Sequence, residues 1–592
     1  MTSEPGPPPQ VVVLDTGGQY CHLITRKIRE LGVYSEIRPS DTPASALSGV
    51  RAIVISGGPA SVYEDGSPQV DPGIFNLGAA VLGICYGQQL LAFHLGGEVR
   101  PGDHGEYGLA WLETVGDSPL FRGIAGRQQI WMSHRDAVAA IPQGFELHGA
   151  TETCPVASIG DRERRLYGVQ FHPEVVHTER GRQLLSNFLF DIAGCEQDWN
   201  PRDQAERIEE EIRRVAGDRN IFFFVSGGVD STVAFTLCLR ALSPERVRGL
   251  YVDTGLMREG ETAFVRGVFE SLAAGVFAVE HAEDRFLAAL AGEVDPEKKR
   301  HAIGEMFVEV QERILESGHY LEGNWILGQG TIYPDTIESG GTAKADLIKT
   351  HHNRVAGIQK LIEQNRIIEP LHLLYKDEVR EVGRELGLPE ELLARHPFPG
   401  PGLAIRVLCT DGSAPIEKTE GGWLVPVRSV GVQGDSRTYR PVLLVEDPPG
   451  TPELQARATR LINALPGINR VVALAGTKSP VETLWVAPAA ITAERLERLR
   501  HADGIVRRMC HESGFETKVW QFPVILIPLG TPKRPDTVVL RPIDSVDGMT
   551  AQSVIMPEAL LARMTAELLA IDGVSTVVYD LTHKPPGTIE WE

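Results

Sequence analysis

IFFFVSGGVDSTVAFTL, residues 221–237, decides how the middle of the chain folds. The run from Ile221 to Val225 has the length and the β-branched and aromatic content of a buried strand, and the apolar residues that follow Ser231 recur at helical spacing. The residues SGGVDS, 226–231, are therefore predicted to form a strand-to-helix turn. Backbone N–H groups without side-chain bulk at a helix N-terminus attract an anion, because the unsatisfied donors and the helix dipole both favour negative charge. The stretch predicts a phosphate-binding turn.

This turn differs from the two common phosphate loops. It lacks the lysine of G-x-x-x-x-G-K-[ST], which normally reaches the terminal phosphates, and it is too short for G-x-G-x-x-G. The alternative interpretation is an ordinary glycine turn with a capping Ser or Asp, and an isolated pair of glycines is more often that. Other parts of the chain have to decide between the two.

Length and charge narrow the class of protein. A chain of 592 residues exceeds one hydrophobic core, so about three or four domains are expected. Its 42% apolar and 23% charged residues are typical of a globular protein in water. The net charge of −21 argues against nucleic acid as a partner, because sequence-independent affinity for a polyanion comes from Lys and Arg. Small anionic substrates remain compatible with local positive groups.

Neither a membrane nor an oxidising compartment is expected. No stretch approaches the roughly 20 apolar residues needed to span a bilayer. Residues 1–10 form a Pro-rich tail, predicted to be disordered, rather than a signal peptide, so a cytoplasmic location is predicted. The seven cysteines are scattered without a C-x-x-C pair, which predicts neither disulfides nor a structural zinc site.

The chain is predicted to be a multidomain α/β protein. Short apolar strands alternate with helical segments over 11–195, as in a parallel sheet with helices on both faces. A polar linker at 198–203 leads into a second α/β pattern over 204–400, where three successive strands end in loops with Gly or Asp. Such loops indicate ligand binding at the carboxyl ends of a parallel sheet. The remainder is predicted to be α+β.

The C-terminal region contains a repeat. PGINRVVALAGTKSP (466–480) and DGVSTVVYDLTHKPP (572–586) align without a gap. Each copy is preceded by a β-rich run and a helix-like stretch, which favours a duplicated subdomain over a chance match. The predicted copies span 401–520 and 521–592.

A candidate nucleophile lies in the first domain. GICYGQQ (83–89) places Cys85 between a predicted strand and a predicted helix, with a glycine two positions away on each side. This resembles the nucleophile elbow of G-x-S-x-G enzymes with sulfur in place of oxygen, and a helix N-terminus favours the thiolate. A small buried core cysteine is at least as good an interpretation of this motif alone. His172 and Glu174, in FHPE after another strand, supply a base and its orienting carboxylate, and SGGP (56–59) supplies backbone N–H groups.

Together, these three motifs resemble the triad, or class I, glutamine amidotransferase domain. The resemblance implies that Cys85, His172 and Glu174 are catalytic and that ammonia is released from glutamine through a glutamyl thioester. It also implies that Gly58 and Tyr86 donate backbone hydrogen bonds to the oxyanion and that Gln89 lies near the glutamine.

SGGVDS in turn resembles the PP-loop of N-type ATP pyrophosphatases, which bind pyrophosphate while a substrate oxygen attacks the α-phosphate. The resemblance implies that Asp230 contacts Mg²⁺, that Val252 lies near the adenine, and that Lys349 belongs to a segment covering the ATP site. The implied ATP-binding set is Ser226, Gly227, Gly228, Val229, Asp230, Ser231, Val252 and Lys349.

The order of these domains resembles the glutamine-hydrolysing GMP synthase family over nearly the whole chain. Four further stretches carry the resemblance: GQGTIYPDTIES (328–339), IKTHHN (348–353), RHPFPGPGLAIRVL (395–408) and KPPGTIEWE (584–592). It implies glutamine, ATP and xanthosine monophosphate (XMP) as substrates, with adenylation of the XMP 2-carbonyl oxygen and displacement of AMP by ammonia. The implied XMP contacts are Arg300, Asp335, Pro399, Gly400, Arg437, Gln521, Lys584, Ile589 and Glu590. Without the resemblance, Lys584 and Arg437 would be interpreted as surface salt-bridge residues and HPFPGPG as a rigid loop.

The sequence departs from the family pattern at its C-terminal end. Ordinary members carry one C-terminal subdomain, used for dimerisation, whereas this chain carries two related copies. GVQGDSRTY (431–439) precedes the first repeat and KPPGTIEWE ends the second, so the two motifs are divided between the copies. We therefore expect a monomer rather than a homodimer. The alternative functions are a PP-loop tRNA-modifying enzyme and a non-catalytic nucleotide-binding regulator, and the acidic charge and complete catalytic motifs disfavour them.

Overall fold

The structure is a computed structural model that describes residues 8–124, 126–338, 356–393, 395, 398–433, 436–465, 467–545 and 550–592. It divides into two compact units. The first consists of the described residues within Met1–Arg207, Thr331–Ile348 and Leu371–Val382, and the second of those within Ile208–Gly330, Lys349–Pro370 and Gly383–Glu592. In the described part of the chain, no helix combines the length and the apolarity that crossing a bilayer requires.

A nine-stranded sheet forms the centre of the first unit, counted over its described residues, in the order β2-β1-β3-β4-β9-β8-β7-β5-β6. Its strands are β1 (Val11–Asp15), β2 (Ser35–Pro39), β3 (Ala52–Ile55), β4 (Ala80–Ile84), β5 (Glu98–Thr114), β6 (Arg127–Ala140), β7 (Glu146–Ala150), β8 (Ser158–Asp161) and β9 (Leu166–Val169). Helices α1 (Cys21–Arg29), α2 (Tyr86–His94) and α3 (Gly181–Ser186) accompany them, and a π-helical segment follows at Asn187–Ile192.

The predicted parallel sheet accounts for half of this architecture. Strands β2, β1, β3, β4 and β9 are mutually parallel. Strands β3 and β4 are buried along their whole length, which is why they appear in the sequence as unbroken apolar runs. The strands from β5 to β8 pair antiparallel, and β8 joins β9 antiparallel. The sheet is therefore mixed, because β5 to β9 are joined by short turns that need no crossover helix.

Two short segments from later in the chain complete the first unit. Arg29, at the end of α1, is buried with its guanidinium over the rings of Tyr333 and Tyr375, at 4.6 and 5.0 Å from their centroids. It also lies 3.2 Å from the Glu378 carboxylate. A buried guanidinium needs such partners because an uncompensated charge is costly inside a protein. Residues 331–338 and 371–382 are thus tied to the amino-terminal sheet by one cation.

The second unit begins with the predicted parallel sheet, in the order β12-β11-β10-β13-β14. Its strands are β10 (Asn220–Phe224), β11 (Val247–Asp253), β12 (Phe277–His281), β13 (Trp325–Gly328) and β14 (Ile367–Ile368), and all of their pairings are parallel. Helices between 204 and 393 are α4 (Gln204–Ala216), α5 (Val229–Ala241), α6 (Glu261–Leu272), α7 (Glu283–Ala289), α8 (Pro296–Ser317), α9 (Tyr333–Glu338), α10 (Ala356–Glu363), α11 (Lys376–Glu385) and α12 (Glu390–Leu393).

The C-terminal region is α+β. Its strands are β15 (Ala414–Pro415), β16 (Glu417–Thr419), β17 (Gly422–Gln433), β18 (Ser436–Val445), β19 (Arg470–Thr477), β20 (Trp485–Val486), β21 (Val524–Ile527), β22 (Leu529–Gly530), β23 (Asp536–Leu540), β24 (Ile543–Asp544), β25 (Gln552–Ser553) and β26 (Val574–Asp580). Its helices are α13 (Pro452–Ala464), α14 (Ala493–Ser513) and α15 (Glu558–Ala570). The main sheet has the order β16-β17-β18-β19-β26-β23-β21.

This sheet has an internal two-fold relation that matches the sequence repeat. Strands β17 and β18 are antiparallel and β18 and β19 parallel, just as β21 and β23 are antiparallel and β23 and β26 parallel. The repeated segments form β19 and β26, which pair antiparallel at the centre with Ala473 opposite Tyr579. These two residues are equivalent in the repeat alignment. The duplicated subdomain predicted from the sequence is confirmed as two related halves of one sheet.

Candidate active sites

The nucleophile candidate lies on a strained turn. Cys85 links β4 to α2 with φ 52° and ψ −106°, a backbone conformation that side-chain-bearing residues rarely adopt. A Cβ on Gly83 would lie 2.4 Å from the Gly87 carbonyl oxygen, and one on Gly87 would lie 2.2 Å from that of Ile55. Both glycines of G-x-C-x-G are therefore required by close packing, which holds Cys85 at the start of the helix.

A buried histidine and carboxylate stand beside this cysteine. His172 Nδ1 lies 2.7 Å from Glu174 Oε1, and both side chains are almost fully buried. Burial opposes the charged imidazole, but the Glu174 carboxylate and the hydrogen bond with Cys85 outweigh it and raise the pKa of His172 to about 10. The Tyr20 ring meets the imidazole edge-on, with 5.0 Å between centroids. Cys85, His172 and Glu174 are thus brought together as the sequence predicted.

Other elements complete the surroundings of the thiol. A Cβ on Gly57 would lie 3.0 Å from His172 Cε1 and 3.5 Å from Cys85 Cβ, so Gly57 keeps this side of the sulfur open. The Gln170 amide donates to Cys85 Sγ at 3.6 Å, and the thiol faces the Ser133 carbonyl at the same distance. Gly57, Gln170 and Ser133 were not predicted from the sequence, although Gly57 belongs to the quoted SGGP stretch.

A buried carboxylate adjoins the predicted glutamine-binding residue. Gln89 Nε2 donates to the Asp136 carbonyl oxygen at 2.7 Å. Asp136 Oδ2 is buried and makes no hydrogen bond within the described residues. A lone carboxylate oxygen of this kind is suited to an ammonium group. Asp136 was not among the predicted site residues, because nothing near it in the sequence forms a motif.

The phosphate-binding turn has the geometry that its sequence indicates. Strand β10 ends at Phe224, and α5 begins at Val229, two residues earlier than the apolar spacing suggests. Gly227 adopts φ 74°, and α5 has no side-chain cap, so its first N–H groups remain for another acceptor. The hydroxyls of Ser226 and Ser231 lie 3.2 Å apart across the loop. Asp230 lies in the first turn of α5, as predicted.

Glycine 330 packs against the same turn. A Cβ at this position would lie 2.9 Å from the backbone nitrogen of Ser231, so the loop after β13 runs directly beside the start of α5. Val252 is buried on the neighbouring strand β11. Lys349 falls outside the described residues. The carboxyl ends of β10, β11 and β13 thus bring together the described part of the predicted ATP set.

Two of the predicted acceptor-binding arginines share one carboxylate. Glu297 Oε1 accepts from Arg300 Nη1 at 2.8 Å, from Arg437 Nη1 at 3.0 Å and from the Tyr439 hydroxyl at 2.8 Å. Glu297 lies in the first turn of α8, and Arg437 comes from β18, far away in the sequence. Burial opposes the charged carboxylate, but these donors outweigh it and lower the pKa of Glu297.

The C-terminal tail is held by buried charges. Glu590 forms a two-point ion pair with Arg406, at 2.9 and 2.7 Å. The fully buried Asp580 accepts from Arg470 at 3.0 Å and from Arg541 at 2.7 Å. These two arginines also donate to backbone carbonyls of Thr588, Ile589 and Glu590. The tail that carries the predicted Ile589 and Glu590 contacts is therefore fixed by Arg406, Arg470 and Arg541, none of which was predicted.

The other acceptor candidates are more dispersed. Gln521 is buried, with its backbone bridged to Ile543, and Lys584 is bridged to Ala551. The Pro399 carbonyl accepts from Gly402, while Gly400 is exposed. Asp335 belongs to the first unit, where its carboxylate accepts from the Ile332 N–H at 3.1 Å, whereas the other described candidates belong to the second.

Comparison with known proteins decides the family. A family model for glutamine amidotransferase class-I matches residues 12–192, and one for the GMP synthase C terminal domain matches 508–591. A probable GMP synthase [glutamine-hydrolyzing] of Leptospira interrogans is 41% identical over 608 residues, which cover 98% of this chain and 99% of that protein. The GMP synthase [glutamine-hydrolyzing] of Caldicellulosiruptor saccharolyticus is 40% identical, with the same coverage. The chain belongs to the glutamine-hydrolysing GMP synthase family.

One solved structure matches the first domain of this family. It is a putative GMP synthase subunit from Thermoplasma acidophilum, 34% identical, covering 31% of this chain and 92% of its own, with a TM-score of 0.29. Family membership accounts for the presence of both the Cys85 elbow and the SGGVDS turn in one chain. The individual roles of Gly58, Tyr86, Gln89 and the acceptor contacts stay predictions.

Proposed function

We propose that this chain makes GMP from XMP, using glutamine as the nitrogen donor and ATP as the activating substrate. The observation that carries the proposal is the joint presence of a Cys85–His172–Glu174 site and a phosphate-binding turn in a member of this family. Glutamine is hydrolysed to ammonia, the 2-carbonyl oxygen of XMP is adenylated, and ammonia displaces AMP. The products are GMP, AMP and pyrophosphate, so the protein is an ATP-dependent C–N ligase of purine biosynthesis.

The first half-reaction follows from the geometry around Cys85. His172 takes the thiol proton, and Glu174 stabilises the resulting imidazolium at 2.7 Å. The thiolate attacks the side-chain amide of glutamine, and His172 returns a proton to the departing ammonia. Backbone N–H groups of Gly58 and Tyr86 stabilise the oxyanion, and water then hydrolyses the thioester. Gln89 and the Asp136 carboxylate are suited to the α-amino acid end of the substrate.

The second half-reaction uses the turn at the start of α5. The phosphates of ATP are proposed to bind the N–H groups of 227–231 and the hydroxyls of Ser226 and Ser231. The donor set fits Mg²⁺, since Asp230 offers a carboxylate at the mouth of this cradle and a Cβ on Gly330 would fill it. Mg²⁺ bound with ATP supplies charge neutralisation at the phosphates. Lys349 is proposed to cover the same site.

The XMP phosphate is proposed to bind near the arginines of the second unit. Arg300 and Arg437 converge on Glu297, and the Ile589–Glu590 segment is fixed by ion pairs. Planar guanidinium groups are well suited to phosphate. Asp335, Pro399, Gly400, Gln521 and Lys584 are the remaining proposed contacts.

The two related C-terminal halves support a monomeric enzyme. In this proposal the first half occupies the place that a partner subunit takes in members with a single copy, and the antiparallel β19–β26 pair is the internal counterpart of the subunit interface. Size-exclusion chromatography with light scattering is expected to give a monomer with and without substrates. An obligate dimer under both conditions would refute it. We also propose a cytoplasmic location and no nucleic acid partner.

Product analysis tests the activity directly. The full chain, mixed with ATP, Mg²⁺, XMP and glutamine, is expected to give GMP, AMP and pyrophosphate. Cys85→Ala is expected to be inactive with glutamine and active with ammonium, because only the first half-reaction needs the thiol. ADP as the product of ATP, or the absence of GMP with either nitrogen source, would contradict the proposal.

A further inference from the structure

A second set of reactive side chains lies next to the glutaminase site. Glu106 on β5, His134 on β6 and Cys154 before β8 place a carboxylate oxygen, a ring nitrogen and a sulfur within 4.8 Å of one another. Glu106 and His134 are directly opposite each other in the β5–β6 register, so the sheet fixes their approach. His134 and Cys154 are buried and Glu106 is partly buried, which leaves the cluster reachable from solvent on one side.

The hydrogen bonds of His134 fix which nitrogen faces the cluster. Its Nδ1 lies 3.1 Å from the Asp136 carbonyl oxygen, which only accepts, so Nδ1 carries a hydrogen. Nε2 then points at Glu106 Oε2, 3.2 Å away. In the neutral ring this places a lone pair against a carboxylate, an arrangement that requires a shared proton or a shared cation. The ring orientation, with Nδ1–H on a backbone carbonyl, is that of most metal-binding histidines.

The loop from Thr151 to Cys154 holds the other two groups. The Thr153 hydroxyl donates to Glu106 Oε1 at 2.5 Å, which leaves Oε2 for the cluster. The Cys154 N–H donates to Thr151 Oγ1 at 2.9 Å, so one short loop orients both the carboxylate and the thiol. Each of the three groups thus has a partner outside the cluster, as the ligands of a built metal site do.

We propose that Glu106, His134 and Cys154 bind one thiophilic divalent cation of the Zn²⁺ type. Nitrogen, oxygen and sulfur together form a ligand set typical of zinc, and a thiolate disfavours Mg²⁺. Bonds of about 2.0–2.3 Å at a tetrahedral centre place ligand atoms about 3.3–3.8 Å apart, close to the 3.2 Å between His134 Nε2 and Glu106 Oε2. On binding, the Cys154 thiol gives up its proton to solvent as the sulfur–metal bond forms, and water takes the fourth position.

The cation would act on the neighbouring nucleophile site through β6. Ser133 and Asp136 flank His134 and supply the carbonyl groups that face Cys85 and Gln89. Fixing His134 therefore fixes this edge of the glutamine pocket. The scattered cysteines did not predict such a site, because its three ligands come from positions 106, 134 and 154.

Cobalt provides a spectroscopic test, because a thiolate–Co²⁺ bond gives a charge-transfer band in the near ultraviolet. The untagged full chain carrying Cys85→Ala, which removes the nucleophile as a competing ligand, is expected to develop this band and saturate at one equivalent. Adding Cys154→Ser should abolish the band, whereas adding Cys195→Ser, a buried cysteine of the same unit, should leave it intact. Thr153→Val should weaken Co²⁺ binding about 10-fold or more.

Hydrogen exchange gives a readout that does not depend on colour. Zn²⁺ is expected to slow amide exchange in peptides covering 130–136 in the Cys85→Ala chain and to have no effect there once Cys154 is also serine. A band that survives Cys154→Ser, or no band and no change in exchange at saturating metal, would overturn the proposal and leave a proton shared between His134 and Glu106. The exposed Asp253, His281 and Glu283 group contains no sulfur, so binding there gives no thiolate band.

Discussion

Replacing Asp580 by asparagine tests whether buried charges hold the C-terminal tail in place. The Asp580 carboxylate is fully buried and accepts from Arg470, from Arg541 and from Trp591 Nε1, the last at 2.9 Å. The variant keeps the size of the side chain but leaves two buried guanidinium groups without their counter-charge. Breaking a buried ion pair in this way costs about 3–5 kcal/mol.

The expected loss is large enough to measure as a melting temperature. For a region of roughly 200 residues, 1 kcal/mol corresponds to about 2–4 °C, so the transition that contains the C-terminal sheet should fall by about 6–20 °C. Ammonium-dependent GMP formation should fall even at temperatures where the variant stays folded, because Asp580 orders the arginines that hold Thr588, Ile589 and Glu590. Glutaminase activity at Cys85 should persist.

Asp536→Asn is the matched control. Asp536 is equally buried and pairs with Arg495 and Arg498, at 2.9 and 2.6 Å, but within the described residues these arginines make no hydrogen bond to the tail. Both variants should therefore lose similar stability, and only Asp580→Asn should lose ammonium-dependent synthesis while folded. A melting shift below about 2 °C for Asp580→Asn, or equal loss of synthesis in both variants, would refute the reasoning.

Three further outcomes are expected. Gly87→Ala should destabilise the first unit by about 1–3 kcal/mol and abolish glutaminase activity, whereas Gly126→Ala, with only one atom within 4 Å of the new Cβ, should be neutral in thermal unfolding. Glu174→Gln should lower the pKa of His172 from about 10, as followed by NMR titration; because this pKa is raised in the folded state, its contribution to stability is present below the unfolded value of about 6.5 and is lost as pH rises through about 10, and an unchanged pKa would contradict this. Glu297→Gln should lower the KM for XMP several-fold at low salt, less so at high salt, because a charge that competes with phosphate for two arginines is removed; a raised KM would show that Glu297 positions them instead.

Local motifs were predictable because their geometry is written in adjacent residues. The glycines around Cys85 and those before Asp230 each mark a strand-to-helix turn, and both turns were found. His172 and Glu174 were predictable for the same reason, since two positions apart after a strand they lie on one loop. The repeat placed β19 and β26 correctly as related strands.

Contacts between distant segments were not predictable from spacing. Asp136 becomes notable only when β6 brings it to Gln89, and Arg406 only when the tail brings Glu590 against it. The antiparallel half of the first sheet was missed because its strands vary in length and burial and lack the uniform apolar runs of β3 and β4. Helix α5 starts before its apolar spacing does because its first turn serves the loop rather than the core.

The internal two-fold relation of the C-terminal sheet changes what mutation can do to it. In a symmetric homodimer every substitution appears on both sides of the axis, so a residue useful on one side must be tolerated on the other. In this chain the equivalent positions 474 and 580 already differ: one is a leucine packed on the core and the other is the aspartate that anchors the tail. Each half evolves separately, so one specialises as scaffold while the other retains the chemistry.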